Sequence, residues 1–313
     1  MKGRPVDLDL RTLATFVKVS ELRSFGRAAQ ALGITQSGVS NAIKRLEAQL
    51  GTALLLRTTR SVSLTVDGEA FFHRCRQVLA DLADARQVLT GARTQPTGIL
   101  RVSLPVSFGR LKIVPLLGAF QARYPRVELA VGITDRFVDL VGEGVDVAIR
   151  FGALEDSSLI ARPLLKARRR IVAAPAYLAR HGRPAVPADL ERHNCLPLTY
   201  HETGRRRRWT LGPAAGQATF TPRGSMAFND GQALYTAVKA GFGVGQMHGY
   251  FVDEDIAAGS LVALLDAFEP EPDGVSIVYP QSRHLSPKVR VFVDFVLGAF
   301  KRSSSAPAAL RAG

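Results

Sequence analysis

The sequence predicts an α/β protein that opens with an all-α-rich unit. Three observations carry this. Apolar residues recur at helical spacing up to about residue 90, and strand-like and helix-like stretches alternate from about residue 98 onward. The 313 residues are also too many for one ordinary core, so two or three domains are expected. A composition of 46% hydrophobic and 22% charged residues excludes wholesale disorder.

The first helix is predicted over about Leu8–Glu21, where Leu10, Leu13, Phe16 and Val17 share a face. Ser24 can cap a second helix, SFGRAAQALG, with Phe25, Ala28, Ala29 and Leu32 along one side. Gly33 stops it, because glycine accepts the positive φ of a helix end. Thr35 is then the N-cap of a third helix, and its buried stripe is Val39, Ile43, Leu46 and Leu50 up to Gly51.

Two short helices joined by a glycine turn, the second with a polar start, form a helix-turn-helix. In that motif the second helix enters the major groove N-terminus first. Gln36 and Asn41 suit paired hydrogen bonds to base edges, and Ser37 and Ser40 are short enough for close approach. Thr35 at the helix start, and Lys44 and Arg45 a turn after Asn41, suit phosphates. An ordinary solvated helix face is the other reading of the same residues. Gly38 costs a helix interior roughly 0.8–1 kcal/mol against Ala.

LLLRTTRSVSLT (Leu54–Thr65) alternates like a strand pair, with Arg57, Thr58, Thr59 and Arg60 clustered at its turn. A basic hairpin after a recognition helix reads as a wing that grips the DNA backbone; a plain exposed hairpin is the alternative. Thr65 then caps a long helix reaching about Gly91. Its residues Phe71, Cys75, Val78, Leu82, Ala85 and Leu89 repeat at intervals of four and three, a heptad seam. About 25 residues make roughly 38 Å of helix. Dimerisation would place two recognition helices over two half-sites; packing on the chain's own surface is the alternative. Cys75 reads as packing, without a redox role.

On SFGRAAQALGITQSGVSNAIKRLEAQLGTALLLRTTRSVSLTVDGEAFF, and above all on AAQALGITQSGVS, IKRLEAQLG and RTTRSVSLT, the chain resembles the LysR-type transcriptional regulators. Gly38 stands where Ala is usual, and Leu55-Leu56 where a more varied or aromatic pair is common. The later pieces GILRVSLPVSFGR, RFVDLVGEGVDVAIRFG, AYLARHGRP and SPKVRVFVDFV extend the resemblance to about residues 8–300. It implies a winged helix-turn-helix DNA-binding domain over 1–65, a linker dimerisation helix over 66–92 and an effector-binding domain over 93–302. It further implies two Rossmann-like subdomains in that domain, as in a periplasmic binding protein. Subdomain I would span about 98–168 and 273–302 and subdomain II about 169–272, with crossover strands near Lys166–Ile171 and Glu269–Val275. A small-molecule effector would sit between them. The resemblance also implies a homotetramer, built on a homodimer, that bends double-stranded operator DNA. RNA polymerase is a further candidate partner.

After a hinge-like TQPTG, the expected order is strand ILRVSLP, helix SFGRLKIVPLLGAFQARYP, strand VELAVGI, helix RFVDLVGEG and strand VDVAIRFG. A second set follows: RRIVAAP, AYLARHG, PADLERH, TLG…ATFTP and DGQALYTAVKAGFGVGQM. GVSIVYP and SPKVRVFVDFVLGAFK then return to the first. Open α/β sheets bind ligands at strand ends, so Ser107, Phe108, Arg150, Phe151, Asn229, Asp230, Val244, Gln246 and Met247 are candidate effector residues. A structural role is the alternative for each. Ser107 could cap its helix and help attract a carboxylate or phosphate.

Lys and Arg exceed Asp and Glu by 41 − 27 = 14, which suits a polyanionic partner. The excess is +6 over residues 1–95 and +8 over the rest, so charge alone does not locate that partner. RRRRW (Arg205–Trp209) reads as a solvated run or as an extra phosphate contact. The two cysteines and six histidines form no metal-binding spacing, and no GxSxG occurs. No cofactor, metal or catalytic group is therefore expected. No apolar run reaches the roughly 18–20 residues that span a bilayer, and no signal-peptide core opens the chain. The expectation is a soluble cytoplasmic protein with a disordered tail over 303–313. The competing reading is an α/β solute-binding protein or enzyme whose N-terminal unit only oligomerises.

Overall fold

The computed structural model describes residues 8–57, 62–89, 96–152, 158–200, 203–213, 216–281 and 285–305. Helix α1 (Leu10–Leu22) starts at Asp9, whose carboxylate accepts the Arg11 amide. Helix α2 (Phe25–Leu32) starts at Ser24, whose hydroxyl accepts the Arg27 amide, and stops at Gly33 with φ +67°. Helix α3 (Gln36–Leu50) starts at Thr35, whose Oγ1 accepts the Gly38 amide at 3.1 Å. Side-chain caps of this kind satisfy amides that a helix start leaves unpaired. Val39, Ile43 and Leu46 of α3 are fully buried against Phe16, Val19 and Ala28.

Strands β1 (Leu55–Arg57) and β2 (Val62–Leu64) pair antiparallel, Leu55 opposite Leu64 and Arg57 opposite Val62. Glu47 of α3 accepts the Leu54 and Leu55 amides at 2.9 and 3.1 Å, which ties the hairpin to the helix before it. Thr65 caps α4 (Val66–Leu89) through the Gly68 amide at 2.8 Å. Gly68 has no room for a side chain, since a Cβ there would lie 2.0 Å from the Leu54 carbonyl oxygen.

The longer part of the chain holds two main sheets. The first has the order β4-β3-β5-β12-β6. Its strands are β3 (Gly98–Leu104), β4 (Val127–Ile133), β5 (Val147–Phe151), β6 (Leu159–Ala167) and β12 (Asp273–Pro280). Strand β3 is parallel to β4 and β5, while β12 is antiparallel to β5 and β6. One face packs on α6 (Val114–Arg123) and α10 (Pro287–Ser305) through Phe120, Phe292 and Val296. Between β3 and α6 run the short α5 (Val106–Phe108) and a π-helical stretch, Gly109–Ile113.

In the second sheet β7 (Arg169–Ala173) lies between β10 (Val244–His248) and β11 (Val262–Leu264), antiparallel to both. Helices α7 (Pro175–His181), α8 (Gly231–Lys239) and α9 (Gly249–Ala257) belong to this half, with a hairpin of β8 (Trp209–Leu211) and β9 (Ala218–Phe220). Only Arg168 separates β6 of the first sheet from β7 of the second.

Two expectations are corrected. RFVDLVGEG forms no helix: residues 136–139 are irregular chain and 140–144 are turns. Asp139 accepts the Val141 and Gly142 amides in place of the helix ladder, and Gly144 has φ +62°. Strict strand–helix alternation also fails in the second set, where PADLERH is a 3-10 turn and β7 meets its neighbours antiparallel. Thr58, Thr59, Arg60, part of TQPTG and most of the C-terminal tail lie outside the described residues.

Candidate nucleic-acid interface and effector junction

Helix α3 divides its residues cleanly. Thr35, Gln36, Ser37, Asn41, Lys44 and Arg45 are exposed and Ser40 is half-buried, while Val39, Ile43 and Leu46 fill the core. The polar residues therefore share one outward face that begins at the helix N-terminus, where donors and a positive dipole end favour an anion. Thr35 is committed to its cap and lies 3.1 Å from the Ser37 hydroxyl. Gly38 is exposed, and a Cβ there would meet only Thr35 Oγ1, at 3.2 Å. Packing on α2 does not require a glycine here. Arg57 ends β1 opposite Val62, at the turn end of the hairpin.

The heptad seam splits in two, which corrects the reading of Phe71 and Cys75. Cys75 is buried in the head's own core, and Phe71 lies 5.6 Å from the Phe16 ring. Burial pushes the Cys75 thiol up to about 11, leaving it an inert packing group. Val78 and Leu82, further along, are 47% and 43% exposed. The side chains of Ala85 and Leu89 lie outside the described residues.

The two halves of the α/β part meet near Ser107. A Cβ on Gly231, the first residue of α8, would lie 2.9 Å from Ser107 Oγ and 3.2 Å from the Phe251 ring. Ser107 does not cap its helix as expected. The Asp135 carboxylate accepts the first amide, of Val106, at 2.9 Å. Asp230 caps α8 through the Ala233 amide at 2.8 Å, and Asn229 is exposed beside it.

Arg150, on β5, is half-buried. Its guanidinium donates to its neighbour's Ile149 carbonyl at 3.2 Å and to Ser103 Oγ at 3.4 Å, and it forms no ion pair among the described residues. Burial, the largest influence, pulls its pKa down. Phe151 stands beside it, 5.0 Å from the His248 ring and 5.6 Å from Phe108.

Four candidates are corrected to packing or scaffold roles. Phe108 and Val244 are fully buried and Met247 nearly so, each within a hydrophobic core. Gln246 spends its carboxamide on the Thr210 backbone, donating to the carbonyl at 2.8 Å and accepting from the amide at 3.4 Å.

The junction also holds a cluster that the motifs did not single out. Arg169, the first residue of β7, makes a two-pronged bond to Asp273, the first residue of β12, at 2.6 and 3.0 Å. His248 Nε2 lies 2.9 Å from the same carboxylate, and Tyr250 OH lies 3.3 Å from His248 Nδ1. Burial alone would raise the Asp273 carboxyl. The His248 hydrogen bond and the Arg169 charge outweigh it and hold the group below its usual range. Opposite charges at the first residues after the two sheet crossings were the available signal. Of RRRRW, Arg205, Arg206 and Arg208 are exposed, whereas Arg207 stacks on Tyr200 at 5.5 Å.

An outward polar helix beside a hairpin, joined by a long helix to a two-sheet α/β module, defines a DNA-binding protein with its own ligand-binding half. Comparison with known proteins agrees for both halves. The family model "Bacterial regulatory helix-turn-helix protein, lysR family" matches residues 10–69, and "LysR substrate binding domain" matches 93–301. The chain belongs to the LysR family of transcriptional regulators. It is 38% identical over 294 residues to an HTH-type transcriptional repressor of Pseudomonas aeruginosa, covering 93% of this chain and 92% of that protein. The structure of CrgA, a LysR-type regulator from Neisseria meningitidis, is similar with a TM-score of 0.60 at 33% identity, covering 94% of this chain and 99% of that one. The full-length structure of AphB, a virulence activator of Vibrio cholerae, is similar at 0.59 and 29% identity, covering 93% and 99%. The chain is thus a DNA-binding transcriptional regulator whose C-terminal half senses a small-molecule effector. No helix among the described residues is long and apolar enough to cross a membrane.

Proposed function

We propose that the head reads operator bases with Gln36, Ser37, Ser40 and Asn41 and holds the backbone with Thr35, Lys44, Arg45 and the hairpin residues Arg57, Thr58, Thr59 and Arg60. The observation that carries this is the outward polar face of α3, set against three fully buried apolar residues on its other side. The chain works in the cytoplasm as a homodimer or homotetramer, with α4 as one contact. Exposed Val78 and Leu82 continue the heptad there beyond the point where the head's core ends.

The effector in this reading carries a carboxylate or similar anion. Among the described residues, half-buried Arg150 at the strand ends hydrogen-bonds only neutral acceptors and has no ion-pair partner, and a desolvated cation without a paired counter-ion is costly. Ser107 and Phe151 would border the same ligand.

Footprinting and gel shifts on the DNA upstream of the gene test the head. Asn41→Ala should lose about tenfold affinity for the specific site and relax preference at particular base pairs. Arg57→Ala should weaken all sequences alike and flatten the salt dependence. Unchanged binding by both variants refutes the assignment. For the effector, a panel of small carboxylates is screened by thermal shift on the parent and on Arg150→Gln. A carboxylate that stabilises both equally refutes the role of Arg150.

A further inference from the structure

Segment 134–146 joins β4 to β5, two strands parallel to β3. It must therefore turn back from where β4 finishes, level with Leu104, to where β5 starts, level with Val102. A helix commonly makes such a crossover, but here the chain makes it as a tightly self-bonded run of turns. Leu140 and Val145 cover the sheet face opposite α6 and α10, packing on Ala148 and Val278.

The two ends of the segment touch different parts of the molecule. At the first end, Asp135 holds the Val106 amide at the start of α5, beside Ser107 and the effector junction. At the second end, Arg76 of α4 donates through Nη2 to the Glu143 and Gly144 carbonyls, 3.1 Å each. The Arg76 guanidinium also lies 5.4 Å over the Phe72 ring of its own helix. Gly144 lets it approach: its φ is +62°, and a Cβ there would lie 2.6 Å from Nη2.

Between the ends, the segment is braced by its own side chains. Arg136 makes a two-pronged pair with Glu143 at 2.9 and 2.6 Å. Glu143 also accepts the Asp139 amide, and Asp139 accepts the Val141 and Gly142 amides. Asp146 closes the far end by exchanging hydrogen bonds with the Arg101 backbone. A displacement at Asp135 therefore has little slack in which to dissipate before it reaches Glu143.

We propose that Arg76 is the positioning residue that fixes the effector module on the linker helix, and that segment 135–146 carries the state of the effector junction to it. Arg76 touches neither DNA nor effector in this role. It sets the angle at which the DNA head leaves the module, and hence the separation of two heads in an oligomer. The inference rests on the regulator reading only for its purpose, because the contact itself can be tested without operator or effector.

The test uses the full chain with nitroxides at Gln30→Cys in the head and Asp294→Cys on α10. Both positions are exposed, whereas the native Cys75 and Cys195 are buried. Dilution with unlabelled protein leaves the distance within one chain. Arg76→Met, which keeps the stem and removes the donors, and Gly144→Ala should each broaden that distance distribution to about twice the parent width, free inter-domain motion being the default for a lost contact. Arg76→Lys should restore part of it. Trp209 fluorescence melts should not move in Arg76→Met. A parent-like distribution in both Arg76→Met and Gly144→Ala overturns the positioning role. If Arg76→Met does not fold, Gly144→Ala decides on the same criterion. For transmission, Asp135→Ala should speed amide exchange at Val106 and at Glu143–Val145 together. Faster exchange at Val106 alone overturns it. Failure on either count leaves the base-reading face and the Arg150 assignment standing, since those are judged by DNA and carboxylate binding.

Discussion

Gly38→Ala offers a close test of how the recognition helix begins. Gly38 is the third residue of α3, so its amide is one that the helix cannot satisfy itself, and Thr35 Oγ1 accepts it at 3.1 Å. Within a helix, Ala is favoured over Gly by about 0.8–1 kcal/mol. The gain is smaller near an end, so about 0.5–0.8 kcal/mol is expected. Against it stands one contact: the new Cβ would sit 3.2 Å from Thr35 Oγ1 and near nothing else. Relief requires a shift of a few tenths of an ångström, which stretches the cap bond without breaking it. Losing the cap entirely would cost about 1 kcal/mol. The net expectation is a stabilisation of about 0.5 kcal/mol, or roughly twofold slower opening. Amide exchange of Val39–Ile43 measures it directly, free of the module's own transition. Exchange faster than in the parent would refute the reasoning, because it would mean that the methyl displaces the cap. Operator affinity should hold, since the resemblance places Ala at this position.

Three further perturbations separate the two halves of the molecule. Gly68→Ala should lose about 1–3 kcal/mol despite its helix propensity, since the methyl would meet the Leu54 carbonyl oxygen; the helical circular-dichroism melt should fall while the melt of the sole tryptophan, Trp209 in the module, stays. Asp273→Asn removes the partner of both Arg169 and His248. The group is partly exposed, so the cost is discounted to about 2 kcal/mol, read from Trp209 in urea, and a parent-like midpoint would refute the clamp. His73, on α4, has an Nδ1 without a hydrogen-bond partner among the described residues, and burial, then Arg76, lowers its pKa, with Arg101 adding and Glu69 and Glu143 opposing. A folded pKa below the unfolded value of about 6.5 means that the unfolded chain binds the proton more readily. The His73 contribution is therefore full above about pH 6.5 and is lost as pH falls through the folded pKa, and His73→Gln should show a shallower loss of stability between about pH 7.5 and pH 5.

The head was legible because its signals are local. Ser24, Thr35 and Thr65 cap helices at the predicted places, and Gly33 stops one, since each needs only its neighbours within a turn. The strand pair that ends in Arg57 followed from β alternation. The module was legible in order but less so in contact. Segment 136–144 imitates a helix because Val138 and Leu140 are apolar and Val141 and Val145 follow at a helical interval, yet Leu140 and Val145 cover a sheet from turns that Asp139 and Gly144 build. Nothing in apolar spacing separates those two uses.

The same limit explains why some site residues were misassigned. Strand β10 is covered on both faces, Val244 in one core and Met247 in another. A strand buried on both sides shows no alternation, so proximity to a strand end could not distinguish a cleft wall from packing. The Arg169–Asp273 clamp joins residues 104 positions apart, and no periodicity relates such positions. The heptad on α4 makes the point most sharply. Its spacing established correctly that Phe71, Cys75, Val78 and Leu82 form one apolar stripe, but a stripe records only that water is to be excluded. The head's own α1 covers the first turns, where Phe71 meets Phe16, and leaves Val78 and Leu82 open. Whose surface covers an apolar face is set by the length of the neighbouring elements: α1 has 13 residues and α4 has 24, so α4 outruns its intrachain partner, and the remainder of the seam is what a second chain can use.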